Sequence, residues 1–334
     1  MKKIFYVAGK SGGHIEPLFT ILSRAKSKHG RHYSVFITTT QKIDRKIIKQ
    51  RKRYVDKHIA LPLVSIPSGI RSVFDFITSI LKVLILFRRY RPSCIYTTGG
   101  YISVPVSIIG FIFRVPIEIY HLDASLGKAG KLIGKIASKS HVLFDKTKDE
   151  LKEKNVYLAK PLVRFRKNDI FSKEKAKDIL GIPQDKFVIL ILGGSQGSEE
   201  INSVVIDCFA KLDKAFKENL FFMHQIGNKK ICEIKKFYKK NKLKCMIFDY
   251  SSRMAPIYSA SDIVISRGGS GTLFDLVFFK KNSFIIPLKN VANNHQVLNT
   301  IEMKKKYDFI KAILDENTSD ISIQLLNELN NIDL

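Results

Sequence analysis

The chain has 334 residues, 45% of them hydrophobic, and a formal net charge of +27. This length allows two domains with separate cores, and the composition excludes disordered and fibrous classes. Four scattered cysteines lack C-x-x-C or Cys/His spacing, so we expect buried thiols in a reducing compartment and no metal or redox site. No run reaches the ~20 apolar residues that span a bilayer, and no signal peptide is expected.

The positive charge is uneven. Residues 1–160 hold 30 lysines and arginines against 10 aspartates and glutamates, and so carry 20 of the 27 net charges. A lysine-rich composition explains part of this excess, but alone it would load both halves alike. We therefore expect the first half to face an anionic surface or ligand. The basic stretch 42–57 lacks zinc-finger spacing and RNP-type aromatics, so nucleic acid is not expected as a partner.

Along the chain, short apolar strands alternate with helical patterns. The predicted strands are 2–8, 33–39, 93–98, 115–121 and 140–144, then 186–194, 220–227, 245–250, 262–267 and 283–288. This alternation predicts the α/β class, with two doubly wound domains built on parallel sheets. A polar, proline-containing stretch near 160–165 sets the boundary, giving domains 1–162 and 163–334. The pattern leaves open which domain the final helix packs against.

The stretch 77–87 is a helix that is apolar nearly all round and is followed by Arg88, Arg89 and Arg91. One interpretation is a core helix of the first domain. The other, which we favour slightly, is a helix partly exposed to lipid, with arginines that suit anionic head groups.

Four glycine-rich turns follow predicted strands, at 9–14 (GKSGGH), 97–105 (TTGGYISVP), 193–198 (GGSQGS) and 267–272 (RGGSGT). Unpaired amides at the start of a helix bind anions, and open α/β sheets bind ligands where the strand order reverses. Two such domains facing each other would form a cleft suited to a two-substrate transferase.

Together the segments GKSGGHIEP, GGYISVP, GGSQG followed by Asn202, the stretch 254–276 and NNHQVLN resemble the MurG family, glycosyltransferase family 28. The resemblance implies the GT-B fold, with two Rossmann-like domains facing a central cleft. The N-terminal domain would bind the acceptor and an anionic membrane from its cytoplasmic face, as a peripheral protein, and the C-terminal domain UDP-sugar. It also implies an inverting transfer of N-acetylglucosamine from UDP to undecaprenyl-diphosphate-linked muramoyl-pentapeptide, without metal or cofactor, and the chain contains no D-x-D motif.

The resemblance also implies binding residues. Those for phosphates are Ser11, Gly12, Gly13, Ser195 and the helix start Ser270, Gly271 and Thr272. Arg164 would reach the nucleotide, and Arg267, Leu273 and Phe274 are further substrate-binding residues. Tyr250 and Ser251 would receive uracil, Asp275 the ribose hydroxyls and Gln296 the sugar hydroxyls. Local roles compete with these: Ser270 and Thr272 as helix caps, Asp275 as a first-turn acid, Gln296 as a surface amide.

His14 would take the proton from the acceptor hydroxyl, because an ordinary histidine has a pKa of about 6.5, near working pH. A helix cap or a phosphate ligand is the alternative. The segment HLDAS (121–125) departs from the family's His-Glu-Gln-Asn, since Leu122 and Ala124 replace polar residues, and Asp275 is shorter than the family's glutamate. Two alternatives therefore stay open: a related enzyme with another lipid acceptor, and a degenerate module that only binds nucleotide.

Overall fold

The structure is a computed structural model that describes residues 1–9, 12–62, 70–151, 155–194, 197–227, 231–249, 251, 253–288, 294–314 and 317–332, with the backbone alone at 70–73. The chain divides into two compact units, Met1–Arg164 and Phe165–Leu334. We refer to them as the N-terminal and C-terminal units.

The N-terminal unit is a seven-stranded parallel sheet in the order β3-β2-β1-β4-β5-β6-β7. Its strands are β1 Lys3–Val7, β2 Tyr33–Thr39, β3 Lys57–Leu61, β4 Cys94–Thr97, β5 Ile117–His121, β6 Lys139–Val142 and β7 Val156–Leu158. Its helices are α1 Gly12–His29, α2 Lys42–Gln50, α3 Ile70–Tyr90, α4 Ser103–Ile112, α5 Lys128–Ile136 and α6 Asp145–Glu150. The central strands are buried along nearly their whole length, as expected for a parallel sheet with both faces covered.

The C-terminal unit is a six-stranded parallel sheet in the order β10-β9-β8-β11-β12-β13. Its strands are β8 Phe187–Leu192, β9 Leu220–Gln225, β10 Cys245–Phe248, β11 Ile263–Ser266, β12 Asn282–Ile285 and β13 Ile310–Ala312. Its helices are α7 Lys173–Leu180, α8 Glu199–Lys211, α9 Lys214–Glu218, α10 Ile231–Lys240, α11 Met254–Ala260, α12 Ser270–Phe279, α13 His295–Lys304 and α14 Thr318–Asn330.

The predicted class, two doubly wound α/β domains, is confirmed. The final helix α14 packs on its own unit, since Ile321, Leu325 and Leu329 belong to the core that also contains Ile189 and Phe209.

Helix α3 has two apolar faces that differ in burial. Val83 and Phe87 are buried in the core, and Ile80 and Leu84 pack against it. On the opposite face a stripe formed by Phe74, Ile77, Leu81 and Ile85 is 67, 50, 56 and 63% exposed. Helix α3 is thus both a core helix and a partly exposed one. Its exposed apolar face is this stripe, rather than Ile80 and Leu84.

The exposed end of α4 lies beside α3. The rings of Phe87 and Phe113 have centroids 5.6 Å apart, and Phe111, Ile112 and Phe113 are all about half exposed or more. Basic side chains of the same two helices and of the residues just after them are exposed as well: Lys82, Arg88, Arg89, Arg91 and Arg114. We call the α3 stripe and residues 111–113 the apolar surface. Among the described helices, none is both long and apolar enough to cross a membrane.

Candidate active site

The strand order reverses once in each sheet. In the N-terminal unit the chain runs from β1 through β2 to β3 and then returns to place β4 on the other side of β1, and β8 and β11 have the same relation in the C-terminal unit. Open α/β sheets bind ligands outside the carboxyl ends of the strands at such a switch point. The four predicted glycine-rich turns follow β1, β4, β8 and β11, so two of them flank each switch point.

His14 lies in the first turn of α1 and joins the two turns of the N-terminal unit. Its Nδ1 is 3.2 Å from the main-chain oxygen of Thr98, in the turn after β4. A carbonyl oxygen can only accept, so Nδ1 carries the hydrogen and Nε2 of the neutral ring keeps its lone pair. The Thr98 hydroxyl in return donates to the main-chain oxygen of His14 at 2.9 Å. Nε2 is thus the ring atom that can take a proton.

A network of hydroxyl groups fixes the turn after β4. The Thr97 hydroxyl donates to Ser103 Oγ at 2.6 Å, Ser103 Oγ donates to the Gly99 oxygen at 2.7 Å, and the Gly99 amide donates to Thr97 Oγ1 at 3.0 Å. Gly99 and Gly100 have φ of +86° and +82°, which side chains rarely adopt. Thr98, absent from the predicted site residues, lies between Thr97 and Gly99 of this turn. Its position in a glycine-rich turn after a strand was the available signal.

The turn after β1 owes its first glycine to packing. A Cβ on Gly9 would lie 2.6 Å from the Thr39 methyl carbon and 3.0 Å from a carboxylate oxygen of Asp44. Gly12 and Gly13 are the first residues of α1, one buried and one exposed, where helix amides have no intrahelical partner. The predicted contact at Ser11 lies outside the described residues.

The HLDAS segment begins with the last residue of β5, and the two residues that replace polar ones of the family pattern are buried. Leu122 is 5% exposed and Ala124 is fully buried, so both side chains pack in the core. The Thr147 hydroxyl donates to the main-chain oxygen of Asp123 at 2.8 Å. Asp123 is partly exposed and supplies a polar side chain to this loop.

In the C-terminal unit, the turn after β8 needs its glycines because the chain folds back on itself. A Cβ on Gly193 would lie 2.7 Å from the Ser198 nitrogen, and one on Gly197 would lie 2.5 Å from the Ile226 oxygen. The Gly197 amide closes the turn by donating to the Gly194 oxygen at 3.0 Å. Ser195, predicted to contact the diphosphate from this turn, lies outside the described residues.

Asn202 is a packing residue of the C-terminal unit. Its Oδ1 accepts from His224 Nε2 at 3.1 Å, and its Nδ2 donates to the Ile226 oxygen at 3.5 Å. The other ring nitrogen of His224 accepts from the Tyr238 hydroxyl at 3.0 Å. Burial lowers the pKa of His224 to about 3. The asparagine after GGSQG therefore ties α8 to β9.

The start of α12 follows β11. Its N-cap is Gly269, which has no side chain to cap the helix, and the first intrahelical bond runs from the Leu273 amide to the Gly269 oxygen at 3.0 Å. The amides of Ser270, Gly271 and Thr272 precede that bond, so they form the kind of donor cluster that binds phosphate.

Leu273 and Phe274, which are also predicted binding residues, follow in the same turn. Their side chains are 0 and 7% exposed, and the Leu273 amide donates within the helix. Asp275, one residue on, is partly exposed and accepts from the Tyr258 hydroxyl at 3.4 Å.

Gln296, from α13, meets the turn after β11. Its Oε1 accepts from the Leu288 amide at 3.2 Å and from Arg267 Nε at 3.4 Å. Since both partners are donors, the amide oxygen occupies this side and the NH2 group remains for a ligand. Burial lowers the pKa of Arg267, and the charge of Glu200 opposes this effect.

Close packing reinforces this contact. A Cβ on Gly268 would lie 2.4 Å from the main-chain oxygen of Gln296, and Asn299 Nδ2 donates to the main-chain oxygen of Gly268 at 3.1 Å. The structure therefore brings together the predicted segments RGGSGT and NNHQVLN, which twenty residues of the chain separate.

Three predicted residues remain: Arg164, Ser251 and Tyr250. Arg164, at the end of the N-terminal unit, is partly exposed, and three residues before it Arg24 of α1 donates to the Lys160 and Pro161 oxygens at 3.1 and 2.7 Å. Ser251 accepts from the Arg253 amide at 3.0 Å, a local role at the start of α11, and Tyr250 lies outside the described residues. Within the described ranges, no group of three or more His, Cys, Asp or Glu side chains is arranged for a metal ion.

Comparison with known proteins agrees with this geometry. Residues 4–142 match the glycosyltransferase family 28 N-terminal domain, and residues 188–332 match the C-terminal domain of that family. A UDP-N-acetylglucosamine--N-acetylmuramyl-(pentapeptide) pyrophosphoryl-undecaprenol N-acetylglucosamine transferase of Caldicellulosiruptor saccharolyticus is 30% identical over 98% of this chain and 88% of its own length. The enzyme of the same name from Fusobacterium nucleatum is 29% identical over 95% of this chain and 87% of its own.

Among solved structures, Acinetobacter baumannii MurG has a TM-score of 0.71 at 17% identity, with 99% of this chain and 91% of that chain covered. This likeness shows the shared fold. The sequence matches assign the chain to a family, since they span both units and all four turns. The chain belongs to glycosyltransferase family 28 and is a glycosyltransferase.

Proposed function

We propose that this enzyme transfers N-acetylglucosamine from UDP-N-acetylglucosamine to undecaprenyl-diphosphate-linked N-acetylmuramyl-pentapeptide, the lipid I to lipid II step of peptidoglycan synthesis. The observation that carries the proposal is the alignment of nearly the whole chain with relatives named for this activity. Both pairs of turns at the switch points lie within the aligned length, so the proposal concerns the whole site rather than one motif.

The C-terminal unit would bind the donor. The amides of Ser270, Gly271 and Thr272 form an anion site for the diphosphate, with Arg267 as a nearby cation. The NH2 group of Gln296 would donate to a sugar hydroxyl, because its oxygen is already bonded to Leu288 and Arg267. Arg164 and Ser195 are proposed as further diphosphate contacts, Tyr250 and Ser251 as contacts to uracil, and Asp275 to the ribose.

The N-terminal unit would bind the acceptor and supply the base. As the acceptor hydroxyl oxygen bonds to the anomeric carbon, the bond from that carbon to the UDP oxygen breaks and the configuration inverts. His14 Nε2 takes the hydroxyl proton, which its lone pair allows. The charge that develops on UDP is stabilised by fixed donors, each worth roughly 3 kcal/mol of the barrier. On this proposal neither a metal nor a cofactor takes part.

We also propose that the protein is peripheral to the cytoplasmic face of the membrane. The apolar surface on α3 and α4 and its exposed arginines support this, since they combine apolar burial with attraction to anionic lipid. The acceptor's polyprenyl chain lies in the same bilayer, so docking would bring His14 to its substrate.

The altered HLDAS segment favours a second candidate, a related enzyme that uses another lipid acceptor. Buried Leu122 and Ala124 cannot offer the polar groups of the family pattern to an acceptor. The degenerate-module alternative predicts binding of UDP with no transfer at all.

One assay separates these three possibilities. UDP-N-acetylglucosamine and UDP-glucose are offered with the muramoyl-pentapeptide lipid, its monosaccharide analogue without peptide, or diacylglycerol, each with and without EDTA. The proposal expects transfer from UDP-N-acetylglucosamine to the muramoyl lipid, undiminished by EDTA. Transfer only to diacylglycerol favours the second candidate, and binding of UDP without any transfer favours the degenerate module.

A further inference from the structure

We infer that Thr98 is a positioning residue for His14. Its main-chain oxygen accepts from Nδ1 and so selects the tautomer that leaves Nε2 free to accept a proton, and its side-chain hydroxyl holds that oxygen in place against α1. This inference rests on the proposed role of His14 as the base. It concerns a residue of the turn after β4 that is not among the predicted binding residues and lies 84 positions away from its partner along the chain.

Thr98 and His14 exchange two hydrogen bonds, and each residue donates one and accepts the other. His14 Nδ1 donates to the Thr98 oxygen at 3.2 Å, while the Thr98 hydroxyl donates to the His14 oxygen at 2.9 Å. The first bond selects the tautomer, and the second fixes the main chain of one turn against that of the other. Because Thr98 is 4% exposed, water competes poorly for either bond.

The Thr98 carbonyl is itself held in place. Its neighbours Thr97 and Gly99 share hydrogen bonds with Ser103, so the turn after β4 has little freedom to move away from α1. The first carboxylate after His14 in the chain, Glu16, bonds Arg51 at 3.1 Å instead. A neutral carbonyl therefore orients the base here, where many catalytic histidines use a carboxylate.

Thr98→Val keeps the shape of the side chain and removes its donor. We expect kcat to fall about fivefold, the worth of one ordinary hydrogen bond, with the KM for UDP-N-acetylglucosamine unchanged. Thr98→Ser, which restores the hydroxyl, should recover most of the loss. In a His14→Ala background, Thr98→Val should cause no further loss, because a residue that acts through His14 has nothing left to position.

A second readout does not depend on activity. In protein labelled with 15N-histidine, the His14 ring signals, assigned by their loss in His14→Ala, report which nitrogen carries hydrogen. We expect a single Nδ1–H form in the parent protein and a mixture in Thr98→Val. Thr147→Val is the matched control, since it removes a buried hydroxyl that donates to a main-chain oxygen at 2.8 Å in the same unit; it should leave the His14 signals unchanged.

Three results would overturn the inference: an Nε2–H form in the parent protein, a Thr98→Val variant with parental kcat and ring signals, or an equal loss of kcat with and without His14. The first needs no variant, so it decides even if Thr98→Val fails to fold. If the parent protein transfers no sugar, the proposed function fails, while the ring signals still test the contact.

Discussion

The two units share the order of their first six strands and differ in the turns that follow those strands. At the N-terminal switch point, the Thr98 hydroxyl and His14 cross-link the turns through bonds that do not use His14 Nε2. At the C-terminal switch point, glycines pack tightly against the backbone, and the groups that remain are donors: helix amides, Arg267 and the Gln296 amide. The first six strands have the same order in both units, so the difference between the two sites resides in the turns. On the proposed function, one set of turns removes a proton and the other binds an anion.

The outer surfaces differ as well. The N-terminal unit carries the apolar surface, whose α3 stripe runs from Phe74 to Ile85 along one helix face. In the described part of the C-terminal unit, the exposed large apolar side chains Ile170, Ile179, Leu314 and Ile323 come from separate segments. Single exposed apolar residues are ordinary, whereas a contiguous set marks an interaction surface.

The largest effect is expected from removing the base. His14→Ala should lower kcat by about 10² or more and leave the affinity for UDP unchanged, because the donor site belongs to the other unit. Steady-state kinetics and titration calorimetry with UDP measure the two quantities. A variant that keeps its kcat and loses only acceptor affinity would make His14 a ligand rather than a base.

Most of this architecture was predictable from the sequence, and the strands that were missed share a physical cause. β3, β7 and β13 are edge strands with partly exposed residues, so they lack the continuous apolar run of a strand that is covered on both sides. The ten strands that were predicted include every strand flanking a switch point. For this reason the strand pattern alone predicts the positions of the four turns correctly.

The site could be predicted only where its residues are close together in the sequence. A glycine-rich turn after a strand indicates a helix start, but nothing local indicates that Thr98 meets His14 or that Arg267 meets Gln296. Helix α3 shows the same limit, because both of its faces are apolar and only packing against the sheet distinguishes Ile80 and Leu84 from the exposed stripe.

The surface difference can be tested on vesicles. Leu81→Ser with Ile85→Ser should weaken binding to vesicles of anionic lipid about tenfold to a hundredfold, through lost apolar burial at ~25 cal/mol per Å². Sedimentation of protein with vesicles measures it. Raising the salt concentration should weaken vesicle binding by the parent protein without abolishing it, since salt screens only the contribution of the arginines.

Ile323→Ser is the matched control for that experiment. Ile323 is 49% exposed, similar to the stripe, but it lies on α14 of the other unit. It should bind vesicles like the parent protein. Equal loss in the control, or no binding by the parent at low salt, would contradict the docking proposal.

A smaller effect is expected at Gln296. Gln296→Glu keeps an oxygen for Leu288 and Arg267 but replaces the NH2 donor with a second acceptor. We expect kcat/KM for UDP-N-acetylglucosamine to fall about tenfold, a loss of one hydrogen bond with a penalty for the unmatched acceptor, while free UDP binds as before. If free UDP loses affinity equally, Gln296 acts on the turn after β11 rather than on the sugar.

The smallest effect concerns acid stability, and it too separates the units. Burial, helped by the charge of His141, lowers the pKa of His121 to about 4 from an ordinary 6.5, and burial also lowers the pKa values of His29 and His58 in the same unit. In the C-terminal unit His224 has its pKa lowered to about 3.

A histidine that is neutral in the folded protein contributes its full stabilisation above pH 6.5. This contribution is lost as the pH falls towards the folded-state pKa, because only the unfolded chain takes up the proton. From pH 7 to 5.5 this loss amounts to about 1 kcal/mol for His121 and for His224, and His29 and His58 add to it in the N-terminal unit. We therefore expect hydrogen exchange, corrected for intrinsic rates, to rise first in residues 1–164, and His121→Gln to reduce that rise while His224→Gln does not. An earlier rise in residues 165–334 would reverse the comparison.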